Sequence, residues 1–288
     1  MIASLENDHL CIQVNSLGAE LWSVYDKTQK RECLWQGEPD VWPRRAPNLF
    51  PVCGRLREGK AKFAGKEYPM PLHGFLRDYE HQLVFQSKDK LCFRMTDSEE
   101  TRKMYPFAFC VETEFCLKEN GLLQTFFVTN SGNQRMPFSI GFHTGWKCPF
   151  DENHLTSDYR IVFEKEENTD RILNQDLIII GRTPFLCGKR SFPVKETLFT
   201  PNLVLKGLQS HWLRLEEKES KRFIQVGIEG FPALVLWSVP NNMPFLCIEP
   251  WHGMFEPQEE YGEFEEKPFV RKLLPGERFS CCMSVTLG

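Results

Sequence analysis

Apolar side chains recur at every second position along this chain, in short blocks, and almost nowhere at the three-to-four spacing of a helix. "LCIQV" (10–14), "QLVFQ" (82–86) and "LCFRM" (91–95) are such blocks. In "VETEFCL" (111–117), Val111, Thr113, Phe115 and Leu117 share one face, and Glu112, Glu114 and Cys116 the other. A period of two belongs to a strand with one buried face. "ENG" (119–121) then leads into "LLQTFFVTN", which predicts a hairpin, since Asn120–Gly121 tolerates positive φ. "SKDK" (87–90) has the same part between 82–86 and 91–95. Nineteen glycines and nineteen prolines punctuate the strands, and helical pieces are short, near 97–105 and 262–273. The stretch 148–200 is the least regular and reads as long connections. No repeat of fixed period is present. The expectation is an all-β chain, a single domain over residues 1–288, built as one large antiparallel β-sandwich curved enough to leave a concave face.

Charge narrows the function classes. A formal net charge of −4, with lysines and arginines scattered, offers no field for nucleic acid or an anionic membrane. "EEKESKR" (216–222) mixes both signs and reads as a solvated turn. No apolar run approaches the roughly 20 residues that cross a bilayer, and "MIASLENDHL" lacks a basic n-region. Eleven cysteines, many inside strand-like runs, form no CxxC pair and no Cys/His zinc spacing. They read as buried free thiols of a cytoplasmic protein, with no metal and no cofactor expected.

Four stretches carry polar groups in unusual company. "MPLHGFLRD" (70–78) sets His73, Arg77 and Asp78 beside Gly74, as a turn or as the rim of a cleft. "APNLFPVCGRLREGK" (46–60) offers Arg55, whose planar fork suits hydroxyls or a carboxylate, or simply belongs to a rigid loop. "PFSIGFHTGWKCPF" (137–150) places His143 among apolar residues, as a core histidine or a catalyst. Gly141 and Gly145 suggest that something approaches the backbone closely. "FLCIEPWHGMFEP" (245–257) ends an apolar strand with Glu249, followed by Pro250 as a stop and by Trp251. A carboxylate there is costly unless it is paired or used as a base.

Together these stretches, with "GKEY", "LVLKGLQS" and "LLPGERFS", resemble the aldose 1-epimerase (galactose mutarotase) family, closest to its LacX-like branch, from about residue 10 to the end. The resemblance implies a large antiparallel β-sandwich with a sugar in a cleft on its concave face. It implies Glu249 and His143 as the catalytic pair, Arg55 and His73 as substrate contacts, and Arg77 as a further ligand contact. Trp251 is expected to stack on the sugar. Four positions depart from the family pattern: Thr144 replaces a proline, Trp146–Lys147 an aromatic–Asn pair, and His252 a tyrosine. The family's sugar-binding aspartate has no counterpart in "LVLKGLQSHW".

The implied reaction interconverts the α and β anomers of a hexose. Ring opening takes a proton from the C1 hydroxyl and gives one to the ring oxygen. Glu249 is the expected base and His143, as imidazolium, the expected acid. The expected partner is a small sugar, a hexose or hexose phosphate, and the expected assembly a monomer or homodimer. Alternatives are a hexose-6-phosphate 1-epimerase, for which Arg77 or Lys147 could favour the phosphate, and a non-catalytic sugar-binding protein of the same fold. A glycosidase would need a carboxylate pair, and "EPQEEYGEFEE" (256–266) has the composition of an exposed loop.

Overall fold

In the computed structural model, which describes residues 1–199, 201–240 and 243–288, the period-two segments are strands. One antiparallel sheet runs through most of the chain, and a four-stranded sheet at the N-terminus, Ile2–Glu6 to Arg31–Glu32, packs beside it. The fold is a large antiparallel β-sandwich with a concave face. Its two halves meet across a core in which the Phe126 and Phe142 rings stack at 4.4 Å. Ile248, Leu246 and Leu236 enter this core from one half, and Val111, Phe115 and Val128 from the other.

The strand Phe245–His252 is buried along its whole length and organises the concave half. Ala233–Trp237 pairs with it on one side, with Val235 opposite Glu249 and Ala233 opposite Trp251. On the other side, Thr144–Lys147 runs from the Thr144–Ile248 pair, and Ile140–Phe142 places Gly141 opposite Trp251. Strand alternation therefore divides the side chains: Leu246 and Ile248 face the core, while Cys247, Glu249 and Trp251 face the concave side.

Four sequence readings are corrected. Pro250 does not stop its strand, which continues to His252 with Pro250 opposite Leu234. A proline costs only its own N–H, and here it falls in the gap that this ladder leaves between the Gly141–Trp251 and Thr144–Ile248 pairs. The supposedly irregular stretch contains two long strands, Tyr159–Gln175 and Ile178–Pro193, paired as a hairpin with several register shifts. Those shifts break the alternation, which hid the strands from a period-two reading. The Lys118–Gly121 hairpin forms, but neither Asn120 nor Gly121 takes positive φ. Gly121 is needed for proximity instead, because a Cβ there would lie 2.1 Å from the Val285 carbonyl oxygen. In the 216–222 segment the expected solvated turn forms at residues 218–220, but Glu216 and Glu217 belong to the preceding strand and are buried and paired, with Arg160 and with Arg222 and His154.

All eleven cysteines are free, and six of them are buried. Among the described residues no helix is long and apolar enough to cross a membrane.

Candidate active site

A cavity of about 540 Å³ opens on the concave face. Its lining includes Glu249, His143, Arg55, His73, Arg77 and Trp251, so all six residues singled out in the sequence meet in one place. Lys147 and His252 do not line it. His252 points the other way, accepts from Arg271 at Nδ1 (2.9 Å), and packs between Phe231 and Phe279.

The central pair follows from the strand register. Thr144 faces Ile248 and Gly141 faces Trp251, so His143 and Glu249 occupy opposed positions on the same face. Cross-strand side chains at such positions come within contact range. His143 Nε2 lies 3.4 Å from Glu249 Oε2. Glu249 is 1 % exposed and His143 8 %. Neither Glu249 oxygen, nor His143 Nδ1, has a hydrogen-bond partner among the described residues. Orphaned buried polar groups are rare and costly, and these border the cavity.

Burial sets their ionisation. It drives the Glu249 carboxyl well above the usual carboxylate range. It also drives His143 down to about 3, with Arg77 and Arg44 adding positive charge nearby. Each group alone resists charge, so the two together favour a net-neutral state holding one proton between them. In that state one member can take a proton while the other can give one.

The glycines beside His143 make room for protein, not ligand. A Cβ at Gly141 would meet Trp251 Cδ1 at 2.4 Å, and one at Gly145 would meet Trp42 Cζ3 at 2.9 Å. The His143 ring accordingly stacks on Trp42 at 5.2 Å and meets the edge of Trp237 at 5.7 Å. This aromatic box fixes the imidazole while leaving one side to the cavity.

His73 is held by a strained turn. It has φ +65° and is followed by Gly74 at +71°, where a Cβ would lie 2.1 Å from the Phe50 carbonyl oxygen. The Gly54 N–H donates to His73 Nδ1 at 3.1 Å, which places the ring proton on Nε2. Desolvation, then His143 and Arg77, hold His73 well below the usual imidazole range. It is therefore a neutral donor 5.3 Å, centroid to centroid, from His143. Trp251 donates its indole N–H to the Phe142 carbonyl and presents its ring as wall. Arg55 stands exposed at the rim. Arg77 is largely buried and donates to the Leu72 carbonyl at 2.7 Å, bracing the loop that carries His73.

Sequence reading missed the opposite wall. Asp176 and Leu177, both at positive φ, form the two-residue turn between Tyr159–Gln175 and Ile178–Pro193. Asp176, Asn174 and Asn202 line the cavity from this side, and the two asparagines bond to each other at 2.6 Å. The turn is pinned down: Ile179 N–H donates to the Glu256 carbonyl, and Glu256 N–H to that of Leu177. Glu256, read as part of an exposed loop, is in fact buried beside Lys267 and accepts from the Tyr261 hydroxyl. "LWSVP" also carried a usable signal for Trp237, two positions beyond Val235 on the same face. Trp42 has no periodic context that would have marked it.

Comparisons with known proteins agree with this architecture. A family model described as Aldose 1-epimerase matches residues 1–267. The plasmid-encoded protein LacX of Lactococcus lactis subsp. lactis is 33% identical over 286 residues, covering 96% of this chain and 95% of that one. Among solved structures, a galactose mutarotase related enzyme from Lactobacillus acidophilus superposes with a TM-score of 0.95 at 29% identity, covering 100% of this chain and 97% of the other. A galactose mutarotase-like protein from Lactobacillus casei ATCC 334 gives 0.93 at 26% identity, with both chains covered in full.

Proposed function

The chain belongs to the aldose 1-epimerase family, and from that premise we propose that it interconverts the α and β anomers of a hexose at the Glu249–His143 pair. The observation that carries this reading is the pair itself: two buried groups, directly opposed across two strands, unpartnered at their remaining polar atoms, and facing a sugar-sized cavity.

The chemistry needs an acid and a base side by side, since O1 and O5 are bonded to the same carbon. With the shared proton on His143, Glu249 as carboxylate takes the O1 proton while His143 as imidazolium protonates O5; burial disfavours this ion-pair form against the uncharged one, so reaching it is part of the barrier. The C1–O5 bond breaks and the C1–O1 bond becomes a carbonyl. The pair then holds its one proton on Glu249 instead of His143. Rotation about C1–C2 exposes the other carbonyl face, and ring closure returns the proton. The net charge of the site is the same before and after, which suits a buried location. Neutral His73 donates from Nε2 to a sugar oxygen, and Trp251 offers its ring to the apolar face of the sugar. Asp176 accepts from sugar hydroxyls at the opposite wall. Arg55 donates to a hydroxyl or an anionic substituent at the rim.

The test is polarimetry on freshly dissolved α-glucose, α-galactose and other hexoses. The expected result is protein-dependent acceleration with at least one of them, lost in Glu249→Gln and His143→Asn. Retained catalysis in both variants would end the proposal. A hexose 6-phosphate is the second substrate class, favoured by Arg55 and Arg77 lining the same cavity.

A further inference from the structure

The concave face of the central strand carries a third potential ligand that the epimerase reading leaves unused. Cys247 precedes Glu249 by two positions and projects from the same face of the strand. It is completely buried, in a cluster with Trp35 and Phe245 against which Trp42 and Trp237 of the cavity wall pack. His143, Cys247 and Glu249 each supply one ligand atom, and these atoms all lie within 4.8 Å of one another. A tetrahedral zinc site with bonds of roughly 2.0–2.3 Å needs ligand atoms about 3–4 Å apart, so small side-chain movements suffice. The 3.4 Å between His143 and Glu249 is already in that range.

We propose that these three residues form a binding site for a thiophilic divalent cation such as Zn2+, and that the cation excludes the sugar by occupying its proton-transfer pair. Two further observations favour the site. Both Glu249 oxygens lack hydrogen-bond partners among the described residues, so a cation displaces no existing hydrogen bond from the carboxylate. The charge also closes: one dication with a thiolate, a carboxylate and a neutral imidazole sums to zero, the form that a buried site tolerates best. On binding, the thiol proton and the proton shared by Glu249 and His143 leave to solvent. No electron is transferred. The fourth coordination position faces the cavity and takes water.

Cd2+ serves as the spectroscopic probe and Zn2+ as the inhibitor. Titrating the full chain with Cd2+ should produce a thiolate-to-metal absorption band saturating at one ion per chain. That band should vanish in Cys247→Ser and persist in Cys187→Ser and Cys282→Ser, which remove the two exposed thiols. Zn2+ should inhibit anomerisation in competition with sugar, with an inhibition constant at least about tenfold weaker in Cys247→Ser, whose basal rate is unchanged. Cys247→Ala provides a second variant should the serine be poorly accommodated. A band that survives both Cys247 substitutions, or that is absent from the wild type, overturns the proposal. The inhibition arm rests on the epimerase reading, whereas the Cd2+ band does not. A chain that anomerises no sugar but shows the band would refute the epimerase reading and leave the metal site standing.

Discussion

Asp78 closes on Arg44 at 2.5 Å, while the Arg77 guanidinium next to it stays 3.9 Å away. The neighbour in sequence is therefore not the main partner of Asp78, and Arg77, which lines the cavity, donates instead to the Leu72 carbonyl. Desolvation, with Arg44 close by, lowers Arg77 to about 10, and its positive charge in turn depresses His143.

Arg77→Met retains much of the volume and removes the charge. Losing a positive neighbour favours the protonated imidazole, so the pKa of the Glu249–His143 pair should rise. The acidic limb of the pH profile for kcat/KM should move to higher pH. An unmoved limb with a raised KM would leave Arg77 only the bracing of the Leu72 carbonyl.

Glu249→Gln and His143→Asn should each slow anomerisation by at least ~10²-fold, because each removes one proton-transfer partner. Sugar affinity, measured calorimetrically, should change much less. Equal losses of rate and affinity would instead mark them as binding groups.

Asp176→Asn keeps the shape and removes the charge that strengthens hydroxyl contacts. Losing a charge-assisted hydrogen bond costs about 1.5–3 kcal/mol, or roughly tenfold or more in KM. The kcat should hold. Steady-state polarimetry on the preferred sugar separates the two parameters.

Gly74→Ala should be strongly destabilising. The left-handed backbone alone costs about 1–2 kcal/mol with a side chain. The added methyl would also collide with the Phe50 carbonyl at 2.1 Å. The thermal midpoint should fall by more than the ~2–4 °C expected for 1 kcal/mol in a domain of comparable size. Gly65→Ala, also at positive φ but with open space around it, should cost less.

Stability should fall on mild acidification. His81 is buried, bonded through Nε2 to the Leu76 carbonyl, and desolvation lowers it to about 4. The folded value lies below the unfolded one, near 6.5, so the unfolded chain binds protons first. The contribution is complete above about pH 6.5 and is lost as pH falls towards 4. It amounts to on the order of 2 kcal/mol between pH 7 and pH 5. Urea melts at the two pH values should show a smaller difference in His81→Gln.

The legibility of this chain followed the regularity of its local patterns. Val111–Leu117 alternates cleanly, and its strand was read within two residues of its ends. The Tyr159–Pro193 hairpin was not, because bulges scramble its alternation and its turn is Asp176–Leu177 instead of a glycine pair. Leucine at positive φ gives no turn signal. The backbone bonds to Glu256, distant in sequence, accompany that conformation. The same cause hid Asp176 from the site. Glu249 and His143 were legible as oddities, a carboxylate and an imidazole inside apolar runs. Their juxtaposition is a matter of strand register, which no local pattern specifies.

The two walls of the cavity belong to different parts of the chain. Glu249 and His143 are locked into the central strands, whereas Asn174 and Asp176 ride on a hairpin tip fastened by a few backbone contacts. On the proposed epimerase reading, substitutions at the tip would redirect which sugar is accepted while Glu249 and His143 stay in place, so new preferences would be open to this scaffold without rebuilding its central strands.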